Sequence, residues 1–434
     1  MKSPRLPWFL LTTCSALLMG GVSHAQPMDD ALAKLLSSHP QVKAAQQNIH
    51  ASEAGKTEAF SGYLPKVAVS GGIGKENLDK SGQDPAGLDT RLSPNNIGAT
   101  VTQNVFNGFR TTSDVRSADT NTDIAKTTLD QTGQQVLFEG INAYLDVLRQ
   151  AELGELALEN QDNLKSQLHL EDERVNRGSG IAVDVLQAKS RLQIARERHT
   201  AFSGGLRDAV SRYTQVFGEP PVQEHMAIPT LPMATVPKTL GEATAIALQE
   251  NPGLINSGRN VRLADIGRTS ARSGFFPSVD VVAAARHDND LQGVRGDQED
   301  YTLTLQASWE IFSGFADAAR VKRAAHAHEA SMETNAHTQR KVVEEVRLAW
   351  SSVETNRERM ELLDNAVNIA SEVHGARKKL RDAGKESAIN VLDAENELYR
   401  AKIDAAAAKY DYYSSVYRLL LSIGRLHPET VKGV

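Results

Sequence analysis

The sequence predicts a mainly α-helical fold with a small β part, built as two copies of one unit in which a strand hairpin leads into a long helical hairpin. Three observations point there. The phrase Phe-x-Gly-Phe occurs at Phe106–Phe109 and again at Phe312–Phe315, 206 positions later. No proline falls between Pro94 and Pro220 or between Pro277 and Pro428, and there apolar residues recur at helical spacing, as in Leu137, Ile141, Tyr144, Leu148 and Val343, Val346, Trp350, Val353. Just before each Phe-x-Gly-Phe the pattern changes to alternation, the mark of a half-buried strand.

The chain opens on a leader. Lys2 and Arg5 precede an apolar run from Trp8 to Met19, and Ser23-His24-Ala25 supplies the small residues a signal peptidase reads, so residues 1–25 are expected to be a signal peptide. No later segment approaches the ~18 uninterrupted apolar residues of a transmembrane helix. Cys14 is the one cysteine and lies in this leader, where the apolar run continues past it, a poor setting for lipidation. A thiol-free mature chain suits an oxidising compartment and excludes Cys nucleophiles and thiolate metal sites. Loss of Lys2 and Arg5 takes the net charge from −6 to −8, which argues against a nucleic-acid partner. With 5% aromatic and 24% charged residues, the composition suits long solvated helices better than a compact enzyme core.

From Phe106 onward, one displacement of 206 carries Glu139 onto Glu345, Gly178 onto Gly384, Val185-Leu186 onto Val391-Leu392, and Ala188, Leu192 and Ala195 onto Ala394, Leu398 and Ala401. Upstream, His39-Pro40 answers Asn251-Pro252 and Tyr63–Val67 answers Phe275–Val279 at a displacement of 212, so the copies differ by six residues in the interval between, where an exposed loop tolerates the change. The first repeat is expected at 26–218, with a helix, a strand pair at 66–76 and 97–106, and a helical hairpin at 108–218. A linker at 219–238 holds five of the 15 prolines and cannot be regular helix. The second repeat is expected at 239–426, with strands at 278–286 and 301–312 and a hairpin at 314–426, and a tail follows at 427–434. Each hairpin turns at Arg177–Asp184 or Ala383–Asn390, with Gly178 and Gly384 ending the incoming helices. Met28–Gly62 and Leu240–Gly274 are expected to be helices of half the incoming length, each stacking end to end with a return helix to match one long helix.

The strands carry the functional inference. Tyr301, Leu303, Leu305, Ala307, Trp309 and Ile311 alternate with polar residues as far as Phe312, and Ile97, Ala99, Val101 and Val105 share one side of the earlier strand. Lys75–Asn96 and His287–Asp300, rich in Gly, Asp and Asn, are expected to be hairpin loops. Each unit has two strands and nothing of its own to cover their apolar face, so lipid is the expected cover. Four strands cannot close a barrel and hydrocarbon tolerates no open edge, so several protomers must share one. A soluble coiled coil would account for the helices and leave these strands unexplained; a periplasmic adaptor would lack them.

The signal peptide, the duplicated unit, Phe-x-Gly-Phe after a barrel-type strand, and the helix-tip phrases Arg177–Leu192 and Ala383–Tyr412 together resemble the TolC-like outer-membrane channels. Val391–Leu398 and Tyr417–Leu426 look most like the type I secretion branch. The resemblance covers nearly the whole mature chain. It implies a homotrimer in the cell outer membrane, a twelve-stranded β-barrel set in lipid and continued by a periplasmic α-helical barrel. The implied function is a passive exit duct for type I protein secretion, or alternatively for a multidrug or small-molecule efflux pump. Its partners would be a periplasmic adaptor protein and an inner-membrane ABC or other transporter, without cofactor or catalysis. Strand-to-helix junctions are placed at Phe106, Gly108, Phe312 and Gly314. Entrance, gate and adaptor contacts are placed at Gly178, Asp184, Gly384, Glu386, Asn390 and Asp393. The family's tip commonly carries Asp-x-x-Asp where this chain has Asn390 and Asp393, and an arginine where it has Glu386.

Other motifs are weaker. His326 and His328 sit two apart on an expected helix and point to different faces, unlike a metal pair. Gly71–Glu76 lies in a strand with no following helix, so a phosphate-loop reading fails. Asp184, Asn390 and Asp393 fall at or near the first turn of a return helix, where a carboxylate gains about 0.3–1 kcal/mol from the dipole, a plainer reading that is weaker for Asp393, about six residues into its helix, than for Asp184.

Overall fold

A computed structural model describes residues 28–78, 90–178, 181–293 and 295–431. The expected signal peptide, 1–25, lies outside them. The first repeat runs α1 (Met28–Ser38), α2 (Pro40–Phe60), β1 (Lys66–Ile73), β2 (Glu76–Leu78), β3 (Thr90–Leu92), β4 (Asn95–Asn107), α3 (Arg110–Asn176) and α4 (Ala182–Phe217). The second runs α5 (Leu240–Glu250), α6 (Pro252–Ala271), β5 (Ser278–Asn289), β6 (Asp297–Ser308), α7 (Ala316–Asp382) and α8 (Ala388–Ser422), with α9 (Pro428–Val431) in the tail.

The expected single helices at Met28–Gly62 and Leu240–Gly274 are each split. His39 and Asn251 take extended ψ angles of 130° and 118° ahead of Pro40 and Pro252, because a proline ring disfavours helical geometry in the residue before it. Asn251 turns the break into a start, its side chain accepting from the Leu254 amide at 3.1 Å.

All four long strands form one antiparallel sheet in the order β1-β4-β5-β6. Four expectations change here. β1 stops at Ile73 rather than residue 76, and part of the expected loop Lys75–Asn96 forms the β2–β3 hairpin. Half of the expected loop His287–Asp300 is strand, since Asn289 pairs with Asp297 and their side chains bond at 2.6 Å. β6 ends at Ser308, not Phe312, because its partner β5 begins at Ser278, just past Pro277. Trp309–Phe312 have no strand partner among the described residues. Val105 also leaves its expected row. Asn104 pairs with Asp280 and Phe106 with Val279, so Val105 is the extra residue of a bulge and Phe106 takes its place.

One sheet face carries Val67, Val69, Ile97, Val101, Leu303 and Leu305, and it is bare, with Leu303 76% and Leu305 72% exposed. No described helix is long and apolar enough to cross a membrane.

α3 and α7 have 67 residues each, about 100 Å at ~1.5 Å per residue. α4 covers one half of α3, and α2 with α1 covers the other. The joint falls at Gly140, where an added Cβ would meet Leu35 Cδ2 at 2.5 Å and Phe217 at 3.4 Å. Around it lies the main core, including Leu32, Leu137, Ile141, Tyr144, Val346, Tyr417 and Ile423. The segment expected to be the linker, 219–238, is docked on the core. Tyr144 Oη donates to the Ala227 carbonyl at 3.0 Å and accepts from its amide at 2.9 Å, while Met226, Leu231 and Val236 pack on the core.

Candidate functional site

Two regions gather the residues singled out in the sequence. The first is the pair of strand-to-helix junctions. Gly108 and Phe109 have φ of 66° and 65°, and Gly314 and Phe315 have 62° and 67°. Two consecutive left-handed residues thus reverse the chain from strand into helix. The glycines suit this; the phenylalanines pay about 1–2 kcal/mol, which packing must offset. The rings of Phe106, Phe109 and Phe276 stand edge-on at 5.4, 6.1 and 6.3 Å. Phe312 and Phe315 repeat the first contact at 5.4 Å. Gly108 is constrained twice, since a Cβ there would lie 2.6 Å from the Ser273 carbonyl oxygen; around Gly314 nothing lies within 4 Å.

The second region is the pair of helix tips. Gly178 and Gly384 are left-handed, at φ 77° and 71°, one residue past the helix C-caps. At the second tip the Gly384 amide donates to the Arg381 carbonyl and the Lys385 amide to Leu380, both at 2.9 Å, which satisfies the last helical carbonyls. Asp184 occupies the first turn of α4. Ser387 caps α8 by accepting from the Asn390 amide at 3.3 Å.

Glu386 and Asn390 stay together. The Asn390 side-chain amide donates to Glu386, the Ser387 amide adds a bond at 3.1 Å, and Arg377 lies 3.6 Å away. These contacts, the Asn390 bond foremost, hold the Glu386 carboxyl below the usual range. Asp393, expected to charge the entrance, is ion-paired with Arg191 of α4 while remaining 59% exposed. The bridge ties the second hairpin to the first.

Sequence reading missed the interior of this tie. Glu171 of α3 and Glu395 of α8 are 3% and 2% exposed. Arg381 of α7 pairs with Glu171 and donates to Gln167 Oε1 at 3.1 Å; Gln167 Nε2 in turn donates to Glu395 at 2.7 Å. Burial pushes the Glu395 carboxyl up to about 7, against the pull of Lys378 and Arg381. One local signal existed: Glu395 falls in the apolar stripe of Val391, Leu392, Leu398 and Tyr399. A small cluster of Leu164, Ala188, Leu192, Ala195 and Leu392 packs beside it. The arrangement is a latch of polar bonds joining two hairpins, with no acid–base–nucleophile geometry. His326 bonds Glu329 on its own helix at 3.1 Å.

The chain matches the outer membrane efflux protein family over residues 31–219 and again over 244–425, one stretch in each repeat. Outer membrane efflux protein BepC of Brucella suis biovar 1 (strain 1330) is 23% identical over 412 residues, 94% of this chain and 88% of the relative. Alkaline protease secretion protein AprF of Pseudomonas aeruginosa is 24% identical over 302 residues, 68% of this chain and 62% of the relative. Among solved structures, the Campylobacter jejuni CmeC outer membrane channel superposes with a TM-score of 0.80 over 92% of this chain and 85% of that one, at 14% identity, which is a likeness of fold. With its family matched in both repeats, and with its helices and small sheet in the arrangement of such a channel, this chain belongs to the outer membrane efflux protein family.

Proposed function

We propose that this protein is the outer-membrane duct of an export machine that crosses the whole envelope. Three protomers supply twelve strands to one closed barrel, and their long helices continue as a tunnel through the periplasm. The tips of the helical hairpins dock on an adaptor protein and an inner-membrane transporter. The observation that carries this reading is the bare apolar sheet face, with an open edge at β1 and at β6, joined to 67-residue helices. Lipid suits the face, and only closure removes the edges.

The tip latch serves as the gate. Ion pairs from Arg191 to Asp393 and from Arg381 to Glu171 hold the two hairpins of a protomer together, and opening breaks or shifts them. For the cargo, type I protein secretion is the reading preferred, supported by the likeness to a protease secretion protein. Small-molecule efflux is the second reading, supported by the likeness to BepC, whose name calls it an efflux protein.

Purification from outer membranes tests the duct. A particle near three times the mass of one mature chain, the full chain being 47.2 kDa, that conducts ions in planar bilayers is expected. A stable monomer with intact β content ends the reading. In a deletion strain, loss of a secreted protein with unchanged drug susceptibility supports secretion, and the reverse result supports efflux.

A further inference from the structure

Ser273 is buried where the first strand-to-helix junction meets the second repeat, in the 3₁₀ turn Arg272–Phe275 between α6 and β5. Arg110, the first residue of α3, donates from Nε to the Ser273 hydroxyl at 3.3 Å. From the other flank Arg320 of α7 reaches the same turn, since a Cβ added at Gly274 would lie 3.1 Å from its Nη1. With Arg272 in the turn itself, three guanidiniums gather there. The carboxylate among them, Asp317, is already held by Arg320 at 2.5 Å and by the Ser313 hydroxyl at 2.6 Å. Neither Arg110 nor Arg272 has an ion-pair partner among the described residues. Three cations against one anion leave two positive charges, in a chain whose net charge is −6.

The turn does not need them. Moved by 206 and 212 positions, Arg110 falls on Ala316 and Arg272 on Phe60, so the other junction makes the same reversal with apolar residues. Beside the two free guanidiniums stand exposed rings at the end of the bare sheet face: Phe109, Phe275 and Phe276 are 55%, 50% and 46% exposed. A free anion would leave these rings in water, and an apolar partner would leave the charges unmet. An amphiphile with an anionic head satisfies both. Another copy of the chain is not the occupant, because the seam between α3 and α6 lies inside the protomer and away from its margins.

We propose that this seam binds an anionic phospholipid of the leaflet that faces the long helices, with its phosphate at Arg110 and Arg272 and its acyl chains running past Phe109 and Phe276 onto the sheet. The proposal rests on the duct reading, which sets the sheet in lipid. Further cations lie at the same level. Two helical turns beyond each junction phenylalanine, on the same face, come the exposed Arg116 after Phe109 and Lys322 after Phe315. Helical side chains lean toward the N-terminus, here toward the sheet, so both add to the positive potential around the head group.

Trp309 reports on the site, since its Nε1 donates to the Phe275 carbonyl at 3.2 Å. Trp350 is the only other tryptophan beyond the expected leader, so Trp350→Phe leaves a single fluorophore. The full protein with that change, reconstituted in phosphatidylcholine bilayers, is titrated with brominated phosphatidylglycerol or brominated phosphatidylcholine. The anionic lipid should quench Trp309 at a mole fraction lower by about five-fold or more, the preference that one basic side chain confers at a membrane surface. Adding Arg110→Gln with Arg272→Gln should abolish the preference, while Arg110→Lys with Arg272→Lys, and Arg347→Gln far along α7, should keep it. Equal quenching by the two lipids, a preference that survives the paired Gln variant, or one lost equally in Arg347→Gln, overturns the site. Relief of quenching by soluble glycerol phosphate would assign it to a free anion and overturn the lipid. If neither lipid quenches Trp309, the sheet does not lie in lipid and the duct reading itself falls.

Discussion

α3 and α7 are copies of one helix with 67 residues each, yet α3 buries 19 residues and α7 buries five. The difference lies in position. α3 runs through the middle of the protomer, with α2 and α4 on one side and α6 and α8 on the other. α7 lies at the margin, its outer face showing Leu348, Leu362, Ile369, Val373 and Leu380 to solvent. Burial here belongs to the place a helix occupies, and the marginal helix keeps an apolar face that its own chain leaves uncovered.

The tip offers the strongest test of that contrast, because there the marginal helix reaches into the middle one. Arg381→Ala leaves the buried Glu171 carboxylate with Arg174 alone, 3.5 Å away and half exposed, so the loss should approach but not reach the about 3–5 kcal/mol of a fully broken buried pair. Faster hydrogen exchange around Leu164–Glu171 and larger single-channel conductance are expected, with the sheet unchanged.

At the junctions, Gly108→Ala combines a left-handed alanine with a clash against backbone, about 2–5 kcal/mol together, and should sharply lower the yield of assembled protein. Gly314→Ala in an isolated chain would cost only the backbone part. If a neighbour encloses it as the chain encloses Gly108, the melting temperatures of the two assembled variants fall by similar amounts. A clearly milder Gly314 variant would mean that the two copies really differ there.

Glu395 makes the tie sensitive to pH. Its carboxyl is raised from 4.5 to about 7 where it lies buried in this tip, so the latched arrangement holds the proton more tightly than one that exposes Glu395 to water. The latched arrangement has this advantage in full below pH 4.5 and loses it as pH rises through about 7. Exchange at Val391–Tyr399 should quicken between pH about 5 and 8, and Glu395→Gln should flatten the profile.

The smallest change in stability is expected at Asp393, whose exposed pair with Arg191 is worth about 0–1 kcal/mol. Asp393→Ala should leave assembly intact while weakening cation selectivity and block by multivalent cations, since it removes one carboxylate from each copy around the entrance. Unchanged selectivity would leave Asp393 as a plain tie between hairpins.

What the sequence revealed was local. Gly178 and Gly384 and the alternation of Ile97–Val101 act through their own backbone or their neighbours along the chain; the breaks at Pro40 and Pro252 are just as local, yet the expected helices ran through them. What it concealed acts through space. β6 stops at Ser308 because of where β5 begins, and Val105 is displaced by its pairing with another strand. Phe109 and Phe315 adopt a conformation no phenylalanine prefers because the chain must reverse there. Arg381 and Glu171 meet across 210 positions, a distance no spacing rule covers.

The Arg191–Asp393 bridge also carries a record of descent. Proline breaks, left-handed junctions and glycine-ended tips occur in both halves, so they belong to the unit as it stood before duplication. Moved by 206 positions, Arg191 falls on Glu397 and Asp393 on Gln187, which cannot form the same ion pair. An ancestral single unit meeting its own copies had one kind of boundary and could not alter it in one place alone. Fusion of two units created a boundary inside the chain and another between chains, each free to diverge, and the inherited symmetry ended there.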